Sequence, residues 1–138
     1  MILLDTNVLI YAAEGASEFG PWARSTIAHA VAGEGAAINA VILAEICVGE
    51  TEPETVADRI RSWGVDILDV PAAAAAVCAR AYRAYRRQRA VESGKDSPRL
   101  PLPDFFIGAH AQIMGWPVAT ADPGRLGTYF PTVALRVP

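Results

Sequence analysis

The chain predicts an α/β fold: a single domain over residues 1–138 with a short, mainly parallel central sheet flanked by helices. Three observations carry this. Strand-like apolar runs alternate with segments of helical period along the chain, the pattern that builds parallel sheets with helices on their faces. Glycine or proline punctuates nearly every junction between them. The length, 138 residues, is about one domain and can bury a real core without disulfides.

The first strand is Ile2-Leu3-Leu4, which runs straight into Asp5, Thr6 and Asn7. All three polar types favour a helix N-cap, and residues 8–13 read as the short helix they would cap. Gly15 and Ser17 break it. A second helix opens at Pro21, carries Trp22, Ile27, Ala30 and Val31, and stops at Gly33 and Gly35. Ala36-Ala37-Ile38 is the second strand, and Asn39 caps a helix over 41–48 that Gly49 ends. Within it Glu45 has Val41, Ile42, Val48 and Gly49 as helical neighbours, so it shares a face with apolar residues. Pro53 opens a further helix through Trp63, and residues 65–70 alternate as a partly exposed third strand.

The longest helix spans about 72–92, with Ala74, Val77, Cys78, Ala81, Tyr82 and Tyr85 on one stripe. Its other side is basic: Arg80, Arg83, Arg86, Arg87 and Arg89, with Lys95 and Arg99 beyond, make 7 of the chain's 12 cations. Residues 92–102 read as a loop rich in Gly, Ser and Pro. Pro103 and Asp104 then begin a helix through Phe105, Ile107 and Ile113 that Gly115 stops. Val118-Ala119-Thr120 is a fourth strand, Asp122-Pro123-Gly124 a turn, and residues 132–137 an edge strand between Pro131 and Pro138.

Composition narrows the function. No apolar run is long and uninterrupted enough for a membrane span, and residues 1–4 are too short for a signal peptide, so a cytoplasmic location is expected. Cys47 and Cys78 lack metal-ligand spacing and read as core thiols. The net charge of -3 hides an asymmetry. Residues 1–70 hold 11 acids and 3 bases, while residues 71–138 hold 4 acids and 9 bases. Such a chain gathers carboxylates in one place and offers cations to a polyanion in another.

In a parallel sheet, ligand sites form beyond the carboxyl ends of the strands. Asp5 and Asp122 fall there, Glu45 lies in a helix that leaves such an end, and Asp104 begins the helix leading to the fourth strand. A cap, a helix dipole or a turn explains any one of them. A shared carboxylate site explains all four. An all-oxygen donor set favours Mg²⁺ or Mn²⁺ over zinc.

At these residues the sequence resembles the PIN-domain ribonucleases, most closely the VapC-like toxins of toxin–antitoxin pairs. The markers are LLDTNVLIY at the start, Glu45 in AVILAEICVG, Asp104 in LPDFFIGAHA, and TADPGRL near the end. The resemblance implies that Asp5, Glu45, Asp104 and Asp122 form the acidic cluster, with Thr120 as the hydroxyl beside the fourth acid. Asp5 and Asp104 would ligate Mg²⁺ or Mn²⁺ directly, Glu45 would bind metal or orient the attacking water, and Asp122 would act through water or a second ion. It further implies an RNA substrate, single-stranded or looped and held by the basic helix and residues 95–99, together with a small cognate antitoxin and a homodimer. The helix after Asn7 and those between Glu45 and Trp63 are the expected antitoxin surface. One departure stands out: relatives often carry a further acid and an aromatic after the fourth acid, where this chain has Pro123-Gly124-Arg125-Leu126. A phosphatase of the haloacid-dehalogenase type, phosphorylated on Asp5, is the alternative, but it wants a second Asp where Asn7 stands. A non-catalytic interaction domain is the other, and the presence of all four acids argues against it.

Overall fold

The computed structural model describes residues 1–93 and 102–138. Residues 95–99, expected to help hold RNA, lie outside the described residues. Five strands form one parallel sheet in the order β3-β2-β1-β4-β5. They are β1 Ile2–Leu4, β2 Ala36–Asn39, β3 Val65–Leu68, β4 Val118–Ala119 and β5 Leu135–Arg136. β1 and β2 are buried along their whole length, which is why they read as unbroken apolar runs. β3 lies on one edge and is partly exposed, and β5 takes the other edge, inside the expected 132–137 segment.

The helices are α1 Thr6–Ala13, α2 Gly20–Ala32, α3 Ala40–Val48, α4 Val56–Ser62, α5 Ala74–Ser93, α6 Leu102–Met114 and α7 Gly124–Tyr129. Most boundaries follow the expected signals. Asn39 caps α3, its side chain accepting from the Ile42 amide at 3.0 Å. Gly115 ends α6 with φ 69°, a conformation that suits glycine.

Four expectations are corrected. Pro53 opens only a single 3₁₀ turn, Pro53–Thr55, before α4 begins. α7 was not expected, because Pro123-Gly124 reads as the end of a turn; instead the turn runs directly into a helix. Cys78 is a core thiol, but Cys47 is half-buried, its thiol 3.5 Å from the Pro53 carbonyl at the loop that follows α3. Val48 is 88% exposed, so the face of α3 that carries Glu45 is buried at Ile42 and open at its far end.

Two contacts place α7. Tyr85 of α5, Phe105 of α6 and Tyr129 of α7 pack with ring centroids 5.3 to 5.6 Å apart. Phe130 lies flat on α6 at Gly108, where a Cβ would come within 2.3 Å of the ring. Glycine there lets Phe130 sit close enough to hold α7 against α5 and α6.

Candidate active site

The sheet changes direction at β1: the chain goes outward through β2 and β3, then returns to the other side of β1 with β4 and β5. The crevice beyond the carboxyl ends of β1 and β4 is where a parallel sheet binds ligands. Asp5 follows β1 and Thr120 follows β4, so the two fall side by side. The Asp5 amide donates to the Ala119 carbonyl at 2.9 Å.

Asp5 is buried and heavily bonded. One carboxylate oxygen, Oδ1, accepts from the Thr6 amide at 2.7 Å and so caps α1. The other, Oδ2, accepts from the Thr120 hydroxyl at 2.7 Å and from Asn7 Nδ2 at 2.9 Å. The cap reading of Asp5 is borne out at Oδ1, and Oδ2 is held separately by Asn7 and by Thr120 at the end of β4. Asn7 spans the crevice, since its Oδ1 accepts from the Ala121 amide at 3.0 Å. Thr120 Oγ1 in turn accepts from the Asp122 amide at 3.0 Å. Thr6 donates its hydroxyl to Glu45 Oε2, tying α3 to the start of α1.

An open cleft of about 310 Å³ lies above this network, lined by Asp5, Thr6, Glu45, Asp104, Asp122 and Arg125 together with Asn7, Ile10, Ile107 and Leu126. All four expected acids thus face one cavity. Burial pushes the Asp5 carboxyl up to about 6, partly offset by the Thr120 and Thr6 hydrogen bonds and reinforced by the negative charges of Asp104 and Glu45. Burial also raises Glu45, against the Thr6 hydrogen bond and together with repulsion from Asp104. Asp5, Glu45 and Asp104 therefore feel one another. Asp122 stands apart at the exposed rim, and it contributes to neither shift.

Asp104, in the first turn of α6, is half-buried and paired with Arg125, whose Nη2 and Nε reach its Oδ2 at 2.7 and 3.0 Å. Among the described residues no three acidic side chains converge tightly enough to close around a metal ion as they stand. The donors have the right chemistry for a hard divalent cation, but they are held as an open cleft with an arginine on one of them.

Sequence reasoning did not assign site roles to Thr6, Asn7 and Arg125. Thr6 and Asn7 were visible only as alternative caps for α1. Arg125 was visible only as a departure from a familiar pattern. His110, six residues beyond Asp104 on α6, does not line the cleft: it is buried, 3.2 Å from Asn39 Nδ2, and packs beside Trp116. The basic residues of α5 are exposed, and Tyr82, Arg83, Arg86, Arg87 and Leu102 line a separate groove of about 480 Å³.

A five-stranded parallel sheet of this order, with carboxylates gathered over its switch point, defines an α/β protein with an acidic cleft. The PIN domain profile matches residues 2–126, and the chain belongs to the PIN-domain family. Its structure is similar to that of FitAB bound to an IR36 DNA fragment, at 25% identity and TM-score 0.68, covering 100% of this chain and 95% of that one. It is also similar to a toxin–antitoxin complex from Klebsiella pneumoniae, at 23% identity and TM-score 0.64, covering 97% and 96%. A third likeness is to VapBC2 from Rickettsia felis bound to a DNA fragment from their promoter, at 20% identity and TM-score 0.63, covering 99% and 98%. Among curated proteins nothing matches this chain.

Proposed function

We propose that this protein is a metal-dependent endoribonuclease and the toxin of a toxin–antitoxin pair. The observation that carries the reading is the set of three mutually repelling carboxylates, Asp5, Glu45 and Asp104, in one cleft over the switch point of a PIN-domain sheet. Mutual repulsion of this kind is relieved by a divalent cation, and Asp5, Asp104 and Glu45 are the residues that would hold Mg²⁺ or Mn²⁺, with Asp122 at the rim. When bound, the ion supplies positive charge to the phosphodiester and eases deprotonation of the attacking water.

The chain's own residues do the rest. Thr120 and Asn7 fix Oδ2 of Asp5, and the Thr6 amide fixes Oδ1, so this carboxylate enters the cleft in a single orientation. Glu45, oriented by the Thr6 hydroxyl, aligns the attacking water. The exposed arginines of α5 hold RNA phosphates away from the acids. A toxin–antitoxin complex among the similar structures supports an antitoxin partner. Ile10 of α1 and Val48 of α3, both exposed, offer that partner apolar surface on helices that pack together. An arginine or lysine from the antitoxin would pair with the acids in place of metal. No helix among the described residues is long and apolar enough to cross a membrane.

The test is cleavage of single-stranded RNA by purified protein with chelator, Mg²⁺ or Mn²⁺. Cleavage is expected only with metal, and Asp104→Asn is expected to lower it at least about a thousandfold without unfolding the protein. Metal-independent cleavage, or a fully active Asp104→Asn protein, would remove the acidic cluster from the reaction.

A further inference from the structure

We infer that Arg125 is a catalytic residue of the proposed reaction, gripping a non-bridging oxygen of the scissile phosphate. This rests on the nuclease reading and adds a residue to it. Phosphodiester is anionic, and the cleft that must receive it is lined by four carboxylates. Arg125 is the one cation among the described residues lining that cleft, and it also lines the adjoining cleft of Gln88, Thr128 and Tyr129. A strand running from one cleft to the other would pass its guanidinium.

The ion pair to Asp104 keeps Arg125 ready for this. Both of its contacts go to Oδ2, so Oδ1 of Asp104 is not taken up by the pair. Of the guanidinium's donors, the pair uses those on Nε and Nη2, and Nη1 keeps both of its own for a second oxyanion. The pair is partly exposed, at 44% and 30%, so its stabilising value is small. Its geometric effect is larger: it points the guanidinium across the acids. In the reaction, water oxygen forms a bond to phosphorus as it gives up a proton to solvent, the opposite ester P–O bond breaks, and the leaving oxygen takes a proton back from solvent. Arg125 stays protonated throughout and stabilises the charge on the phosphoryl oxygens. Fixed donors of this kind are worth about a hundredfold to a thousandfold in kcat.

Single-turnover and steady-state cleavage of single-stranded RNA would be measured at saturating Mn²⁺ for wild type, Arg125→Gln and Arg125→Lys, with melting curves to verify folding. Arg125→Gln is expected to lower kcat about a hundredfold with KM changed less than about fivefold, and Arg125→Lys to recover part of the loss. Titration with Mn²⁺ is expected to show that Arg125→Gln binds the ion no more weakly than wild type. Binding of the same RNA to chelated protein supplies a readout without turnover: Arg125→Gln should reduce the slope of log K against log salt by about 0.7. An Arg125→Gln protein with wild-type kcat, an unchanged salt slope, or a gain in kcat that follows tighter Mn²⁺ binding would each overturn the assignment, the last by making Arg125 only a counter-ion. A wild type that cleaves no RNA with metal would instead overturn the nuclease reading beneath it.

Discussion

The inner and outer halves of the cleft are built on different principles. On the inner side, where β1 meets β4, Asp5, Asn7 and Thr120 are joined by hydrogen bonds of 2.7 to 3.3 Å, and each remaining polar atom of this cluster also has a partner. Burial makes those bonds strong and makes their loss expensive. On the outer side, Asp104 of α6 and Arg125 of α7 are held by a half-exposed ion pair, which is worth little in stability, and Asp122 lies in the exposed turn before α7. Fixed geometry is thus concentrated where the first acid sits. The adjustable charges lie where a substrate would arrive.

The largest test of that contrast is a pH series on chelated protein. The folded protein keeps a proton on Asp5 up to about pH 6, whereas an ordinary Asp releases it near 3.8. The resulting contribution, about 3 kcal/mol, is whole below about pH 4 and is lost as pH rises through 6. Chemical denaturation from pH 4 to 7 should show this fall, and Asp5→Asn, which can still cap α1, should flatten it. An equal fall in the variant would assign the titration to another group and remove Asp5 as the costly centre of the inner half.

A smaller effect is expected at Asn7. Asn7→Ala strips a donor from Asp5 and leaves the Ala121 amide without its acceptor, so denaturant titration should record a loss of about 1 to 3 kcal/mol. A loss under about 0.5 kcal/mol would show that water replaces these bonds freely and that the inner half is not rigid. The smallest effect belongs to the rim: Asp122→Asn should change stability by no more than about 0.5 kcal/mol. A larger cost there would mean that Asp122 supports the fold, and the division between the halves would blur.

What could be read from sequence follows the same line. Local signals placed β1, β2, α3 and α6 well, because caps such as Asn39 and stops such as Gly115 act within a few residues. The acids were legible too, since parallel strands deliver their carboxyl ends to one side. The bonds that turn acids into a site were not. Thr120 reaches Asp5 across 115 residues and Arg125 reaches Asp104 across 21, and no local pattern encodes such meetings. α7 escaped for a different reason. Leu126, Tyr129 and Phe130 have helical spacing, but six residues behind Pro-Gly look like a turn until Phe130 is seen seated on Gly108.

The hydrogen bond between Thr120 and Asp5 also bears on biosynthesis. Chains are made from the N-terminus, so the central strand β1 leaves the ribosome well before β4. The two are separated by more than a hundred residues, so β1 waits with one edge unpaired until that later segment is made. Throughout that interval Asp5 lacks the hydroxyl that orients it, and the crevice has only one wall. A nascent chain can fold α1, α2 and β2 early, yet the cleft closes only after residue 120 has emerged. Translation therefore delays assembly of the proposed nuclease centre until β4 has been made.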